Sequence, residues 1–215
     1  MKKNYKKEIY KTREEWLKNR GIGGSDAAAI LGKSPWLSKE KVKKRLLEPN
    51  SYEEKKNSRM VEGTLKEPLI RQMFILNTGY KVTEPPKNKY WLFRRKDEPM
   101  LTCTPDGLYD DYDGMYGLEI KDVALYKREA MDNWESGIIP DQYYIQILHY
   151  MVVLNDIVGV TLLPHLMYFV KNEDINKWVY EHSEFRKYII LREDVKEDLE
   201  YLEKQELDFI KSLKK

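Results

Sequence analysis

The sequence predicts a single α/β (α+β) domain in which helices flank a central sheet, and three observations predict it. A chain of 215 residues with 41% apolar and 34% charged residues can bury one sizeable core beneath a heavily charged surface. Segments of helical and of strand period follow one another with neither an internal repeat nor a low-complexity linker. Apolar runs of strand length have helical segments before and after them, the pattern of layers packed on a sheet.

The elements follow from local signals. Residues 12–19 predict a short helix that ends before Gly21. The run Gly21-Ile22-Gly23-Gly24-Ser25-Asp26 is a glycine-rich loop, and Ala27 to Leu31 predicts a helix capped by Ser25 or Asp26 and closed by Gly32. Residues 38–47 predict a basic amphipathic helix. Residues 60–78 predict a longer one, with Leu65, Leu69, Met73 and Leu76 at helical spacing and Pro68 either in its first turn or at a kink. Tyr90 to Phe93, Met100 to Thr104 and Tyr116 to Val123 read as strands. Pro140 marks the start of a helix over Gln142 to Leu154. Leu162 to Val170 and Arg186 to Leu191 read as strands, and 194–213 as a last helix with Leu199, Leu202, Phe209 and Leu213 on one side.

Composition excludes several classes. The longest apolar stretch, Ile145 to Leu154, is too short to span a membrane. The lysine-containing N-terminus has no apolar core behind it, unlike a signal peptide. One cysteine leaves neither an internal disulfide nor a four-cysteine metal cluster, and the expected compartment is the cytosol. The net charge of +2 hides clustering. Basic residues gather at 2–7, 39–45 and 94–96, and acidic ones at 106–113 and 193–208. Such patches suit either a polyanion held around an acidic centre or ordinary solvated helix faces.

Four motifs carry chemistry. Pro105-Asp106 precedes Glu119-Ile120-Lys121, and strand alternation puts Glu119 and Lys121 on one face with Leu118 and Ile120 on the other. If the runs at 100–104 and 115–121 pair through the turn at 110–114, Asp106 reaches the Glu119 face. Two carboxylates beside an ammonium suit Mg²⁺ and a phosphate under attack. The bland alternative is a turn-rich hairpin with a surface Glu and Lys. Glu67, near Gly63 and Pro68, is either a helix-dipole carboxylate or a third acid of the same centre. Gln146 and Tyr150 stand four apart on one helical face, placed to hydrogen-bond a phosphate, a water or Lys121. The glycine loop, with Arg20 and Ser25, offers backbone N–H groups to an anion, but it lacks the Gly-Lys-Ser/Thr ending of a nucleotide loop.

The order of these elements resembles a known family. The run Arg20-Gly21-Ile22-Gly23-Gly24-Ser25-Asp26 through Pro35-Trp36 resembles the opening motif of the YqaJ-type viral recombinase nucleases, relatives of phage lambda exonuclease in the PD-(D/E)XK superfamily. The resemblance continues through Glu62-Gly63, Glu67-Pro68, Asp106-Gly107, Glu119-Ile120-Lys121, Pro140, Gln146 and Tyr150. It spans about 13–155, with 156–215 as C-terminal strands and helix of the same single domain.

The resemblance implies a restriction-endonuclease-like core with a mixed central sheet. It also implies a Mg²⁺-dependent (Mn²⁺ possible) exonuclease that acts 5′→3′ on double-stranded DNA ends in phage-type recombination. Asp106, Glu119, the Ile120 carbonyl and Glu67 would then hold the metal, and Lys121 would be the catalytic lysine. Gln146 and Tyr150 would form the Gln-x-x-x-Tyr signature, and Arg20 and Ser25 would hold the 5′-phosphate. A homotrimer, a single-strand annealing protein as partner, and a phage or prophage origin in a bacterial cytoplasm are further expectations. An endonuclease on the same fold and a non-catalytic DNA- or partner-binding module are the alternatives.

Overall fold

A computed structural model describes residues 2–49 and 58–214. Two sheets meet at the centre. The first is antiparallel, in the order β1 (Tyr5–Tyr10), β2 (Tyr90–Arg95), β3 (Thr102–Cys103). The second has five strands. β4 (Gly107–Asp111), β5 (Gly114–Leu125), β6 (Gly159–Asn172) and β7 (Lys177–Phe185) lie in that order, and β8 (Tyr188–Leu191) also pairs with β6. β5 and β6 are parallel and every other pairing is antiparallel, so the predicted mixed sheet is present.

The parallel pair requires a crossover, supplied by α5 (Arg128–Glu135) and α6 (Asp141–Val153). The remaining helices are α1 (Arg13–Asn19), α2 (Gly24–Ile30), α3 (Lys39–Leu47), α4 (Ser58–Thr78) and α7 (Lys196–Leu213). Among the described residues, no helix is long and apolar enough to cross a membrane.

The larger core joins α2, α6 and α7 to both sheets and includes Trp91, Trp134, Ile147, Met151 and Leu166. A smaller core on the opposite face of β5 holds Leu118 and Ile120 against Ile70 and Phe74 of α4. The alternation read from the sequence is therefore real: Leu118 and Ile120 face α4, whereas Glu119 and Lys121 face α6.

Three expectations need correction. The run at 100–104 does not form the hairpin with β5. It supplies β3, which pairs with β2 in the other sheet, while β5 pairs with Gly107–Asp111. Asp106 sits just before that strand and still reaches the Glu119 region, because Trp91 Nε1 donates to the Pro105 carbonyl (3.0 Å) and pins the turn. Second, Leu65, Leu69, Met73 and Leu76 do not face the core. They are exposed, and the buried side chains of α4 are Ile70, Arg71 and Phe74. Pro68 lies well inside this 21-residue helix rather than in its first turn. Third, Gly23, not Ser25 or Asp26, is the N-cap of α2, and Asp26 reaches back from the third helical position to accept the Gly23 N–H at 2.8 Å.

The α4 correction sets a measurable contrast. Ile70→Ala should cost about 2–5 kcal/mol in urea unfolding, whereas Leu69→Ala should stay within about 0.5 kcal/mol. Equal losses would return Leu69 to the core.

Candidate active site

The site forms where β5, α6 and the end of β3 converge. Glu119 is its centre and is buried. Gln146 Nε2 donates to Glu119 Oε1 (2.6 Å), and the Tyr150 hydroxyl donates to Glu119 Oε2 (2.8 Å). Gln146 also donates to the Tyr150 oxygen at 2.7 Å. Lys121 ion-pairs with Glu119 Oε1, and its ammonium lies 5.3 Å from the centre of the Tyr143 ring. The four-residue spacing on α6 puts both side chains on one face as expected, but the partner they reach is the Glu119 carboxylate rather than Lys121.

Asp106 is fastened to the same strand. Its N–H donates to the Leu118 carbonyl (2.9 Å), and its Oδ2 accepts the Ile120 N–H (2.7 Å), so the side chain takes over a ladder position. Burial pushes the Asp106 carboxyl well above the usual carboxylate range, and the charges of Glu119 and Glu67 push it further. Glu67 is also raised, by burial first, with Arg71 opposing and Glu119 adding to the rise. For Lys121, burial lowers the affinity for a proton, but Glu119 and Asp106 outweigh it and the group stays an ammonium. Tyr150 is held as a neutral phenol by burial and by Glu119.

These directions bear on metal binding. Crowded hard oxygen donors, with the charges of Glu119 and Glu67 raising the proton affinity of Asp106, are chemically suited to a divalent cation. Among the described residues, however, no three His, Cys, Asp or Glu side chains converge as a ready ligand set. Glu119 is occupied by Lys121, Gln146 and Tyr150, and Asp106 by the Ile120 N–H. Glu67 is engaged by Arg71, a buried arginine that also binds Glu84 at 2.6 Å. Three residues beyond Glu119, Asp122 ties β5 to α4. It accepts from Lys66 (2.8 Å) and contacts His165 Nδ1 (2.6 Å), which fixes the helix that carries Glu67.

The glycine loop adjoins this cluster. A pocket of about 130 Å³ is lined by Arg20, Gly23, Gly24 and Ser25 on one side and by Gln146 and Tyr150 on the other, with Trp16 and Thr104 among its walls. The structure therefore brings Arg20 and Ser25 to the Gln-x-x-x-Tyr face. The glycines are needed for close approach. A Cβ on Gly24 would lie 2.5 Å from Gln146 Cγ, and one on Gly21 would lie 2.1 Å from the Met100 carbonyl oxygen.

Asp26 braces the loop from beneath, buried between Arg20 Nη2 (2.9 Å) and Arg45 Nη2 (2.8 Å). Arg45 also donates to the Gly21 carbonyl at 3.0 Å. Sequence reasoning missed Arg45, Trp16 and Tyr143. Arg45 lay in a lysine-rich helix that reads as solvated, and no spacing rule ties it to a loop 19 residues earlier. Arg71 did have a signal, the i,i+4 pairing with Glu67.

Solved structures share this fold. An alkaline exonuclease (LHK-Exo) from Laribacter hongkongensis matches with a TM-score of 0.63 at 20% identity, over 94% of this chain and 92% of that one. The same enzyme in complex with dAMP gives 0.65 over the same shares at the same identity. A phage-related exonuclease from Haemophilus somnus 129PT gives 0.51 at 13% identity, over 94% and 96%. At these identities the likeness establishes the fold, a mixed sheet flanked by helices as in these exonucleases.

The family is shown by the sequence. The YqaJ-like viral recombinase domain matches residues 15–156, and the chain belongs to that family. The uncharacterized protein YqaJ of Bacillus subtilis (strain 168) is 28% identical over 145 residues, which is 66% of this chain and 43% of that protein. The chain thus spans less than half the length of this relative.

The Asp26 brace gives a pH-dependent prediction. Burial raises the Asp26 proton affinity, but Arg20 and Arg45 overcome it, and the carboxyl lies below its ordinary range. A depressed folded-state value contributes stability that is fully present above the unfolded value near ~4 and is lost as pH falls through the folded value. Asp26→Asn, which leaves Arg45 buried beside a neutral amide, should cost about 3–5 kcal/mol at pH 7. The gap to the unmodified protein, followed by urea unfolding, should narrow below about pH 4. A pH-independent gap would contradict the ion-pair account.

Proposed function

We propose that this chain is a metal-dependent deoxyribonuclease that trims double-stranded DNA from its ends, with 5′→3′ polarity, as the nuclease of a phage-type recombination system. The observation that supports this reading is the contiguity of the two halves of the site. Gln146 and Tyr150 line the Arg20–Ser25 pocket and also donate to Glu119, which ion-pairs with Lys121. An anion pocket next to a hydrolytic cluster is what removal of residues from a terminus requires. A cut in mid-duplex needs no seat for an end.

In this reading Asp106 and Glu119 would hold a Mg²⁺ or Mn²⁺ ion, with the Ile120 carbonyl and Glu67 as further ligands. When bound, the ion supplies Lewis-acid polarisation of the phosphate and a more acidic water. The chain's own groups do the rest. The Lys121 ammonium lies where it orients the attacking water and stabilises charge developing on the phosphorane oxygens. Tyr150 and Gln146 fix the Glu119 carboxylate by donating to it. Arg20 and the loop N–H groups seat the terminal phosphate, the guanidinium offering a fork and Ser25 a hydroxyl.

DNA ends are the proposed substrate, and a single-strand annealing protein the proposed partner for the strand left behind. A homotrimer is the proposed assembly. An endonuclease on the same fold is the competing reading.

Lys121→Ala should reduce Mg²⁺-supported digestion of linear duplex by at least about 100-fold while sparing DNA binding. Undiminished digestion by this variant removes the mechanism. Covalently closed circles should survive conditions that consume linear DNA, and their cleavage would favour the endonuclease. Ser25→Ala should lower the preference for 5′-phosphorylated over 5′-hydroxyl ends by about 10-fold, measured on end-labelled duplexes.

A further inference from the structure

His149 is fully buried one residue before Tyr150, and the catalytic reading gives it no role. Its ring bridges two other parts of the fold. Nδ1 lies 2.5 Å from Glu206 Oε1 of α7, and Nε2 lies 2.8 Å from the Thr102 carbonyl oxygen of β3. A carbonyl only accepts, so Nε2 carries a proton. Nδ1 and the carboxylate share the next one. Burial alone would favour the neutral ring, but the Glu206 charge and the two hydrogen bonds hold the imidazole more basic than usual. Glu206 is itself fully buried, and its Oε2 has no hydrogen-bond partner. A buried charged pair of this kind is weak evidence for a role in stability, so its presence here calls for another account.

Its connections supply one. The strand segment that His149 grips serves both halves of the site. Thr102 Oγ1 accepts the Gly21 N–H (3.1 Å) and donates to the Ile22 carbonyl (3.2 Å), which anchors the start of the glycine loop. Two residues on, the Thr104 carbonyl lies 3.2 Å from the Tyr150 hydroxyl, the group that holds Glu119. Adjacent residues of α6 therefore meet β3 and its end: His149 donates to the Thr102 carbonyl, and the Tyr150 hydroxyl, whose one proton goes to Glu119, lies against the Thr104 carbonyl. A shift of α6 along β3 would move the Glu119 cradle and the phosphate pocket together.

We propose that His149 and Glu206 are positioning residues that lock α6 to β3 and so couple the phosphate pocket to the Glu119–Lys121 centre, with α7 supplying the clamp. This rests on the nuclease reading for its consequences in catalysis, but not for its structural content.

The test uses a ratio that does not depend on the fraction of protein folded: the digestion rate on 5′-phosphorylated ends over that on 5′-hydroxyl ends. Glu206→Ala leaves Nδ1 without its partner and should lower this ratio at least about fivefold, the size of one lost hydrogen bond. Glu206→Gln keeps a partner for Nδ1 and should restore the ratio to within about twofold. Thr102→Val conserves shape, removes the hydroxyl link to the loop, and should lower the ratio as Glu206→Ala does. It decides the matter if the alanine variant does not fold.

Amide spectra provide the arm independent of activity. In Glu206→Ala or Thr102→Val, the resonances of Gly21 and Ile22 and the Gln146 side-chain amide should shift together, while those of β7 stay in place. A wild-type ratio in the folded variants, or loop and Gln146 resonances that do not move, overturns the coupling. Absence of any nuclease activity in the unmodified protein, with the resonances shifting as described, overturns the nuclease reading and leaves the clamp standing.

Discussion

Everything in the site depends on holding one buried carboxylate, Glu119, in a fixed orientation inside the protein. An isolated carboxylate at that depth would be expelled or protonated. It persists because an ammonium, a phenol and an amide all donate to it, and these come from two elements, β5 and α6. α6 must therefore dock with its Gln146–Tyr150 edge against β5, and that docking dictates its surroundings. The helix has to be nearly all apolar elsewhere, which it is from Ile145 to Val153 apart from His149. The backbone of α2 has to come close, which a glycine at position 24 permits.

The same requirement explains why two sheets build one site. The five-stranded sheet supplies Asp106, Glu119 and Lys121. The three-stranded sheet supplies the pocket wall at Thr102 to Thr104 and, through Trp91, the anchor of the turn before Asp106. α6 lies across both, so the seam between the sheets is where the Glu119 cluster and the glycine-loop pocket meet. Charge is balanced locally rather than by net charge. Asp26 offsets Arg20 and Arg45 under the loop, Arg71 offsets Glu67 and Glu84, and Lys66 and His165 flank Asp122. A chain with a formal charge of only +2 can thus hold strongly charged pockets side by side.

Most of the candidate site was legible in the sequence because its residues obey short periods. Glu119 and Lys121 follow strand alternation, Gln146 and Tyr150 follow one helical turn, and the glycine loop carries its own punctuation. What was not legible is long-range pairing. Nothing local tells that the run at 100–104 joins β2 rather than β5, since both choices satisfy an apolar strand. The α4 leucines misled for a related reason: periodicity shows that a helix has an apolar face, but not that the core takes that face rather than the one with Ile70 and Phe74. Strand β7 was missed because its side chains are exposed on both faces, which removes the alternation that reveals a strand. Arg45 and Glu206 share a further difficulty. A charged residue in a charged amphipathic helix reads as solvent-facing until a buried partner from another element is known.

That difficulty separates the two kinds of buried charge in this molecule. The Asp26 brace and the Arg71 bridge each anchor a single element next to its own neighbour, and either could be read as local architecture. The Glu206–His149–Thr102 chain runs from the last helix to the strand that carries the pocket wall, across 104 residues of sequence from one end to the other. It gives α7, which lines neither the pocket nor the Glu119 cluster, a mechanical hold on the residues that do. The family match ends at 156, short of α7, so the clamp joins the matched domain to the C-terminal segment outside it. The C-terminal helix is therefore better understood as part of the site's framework than as a cover for the core, because its buried carboxylate holds the very helix face on which Glu119 depends.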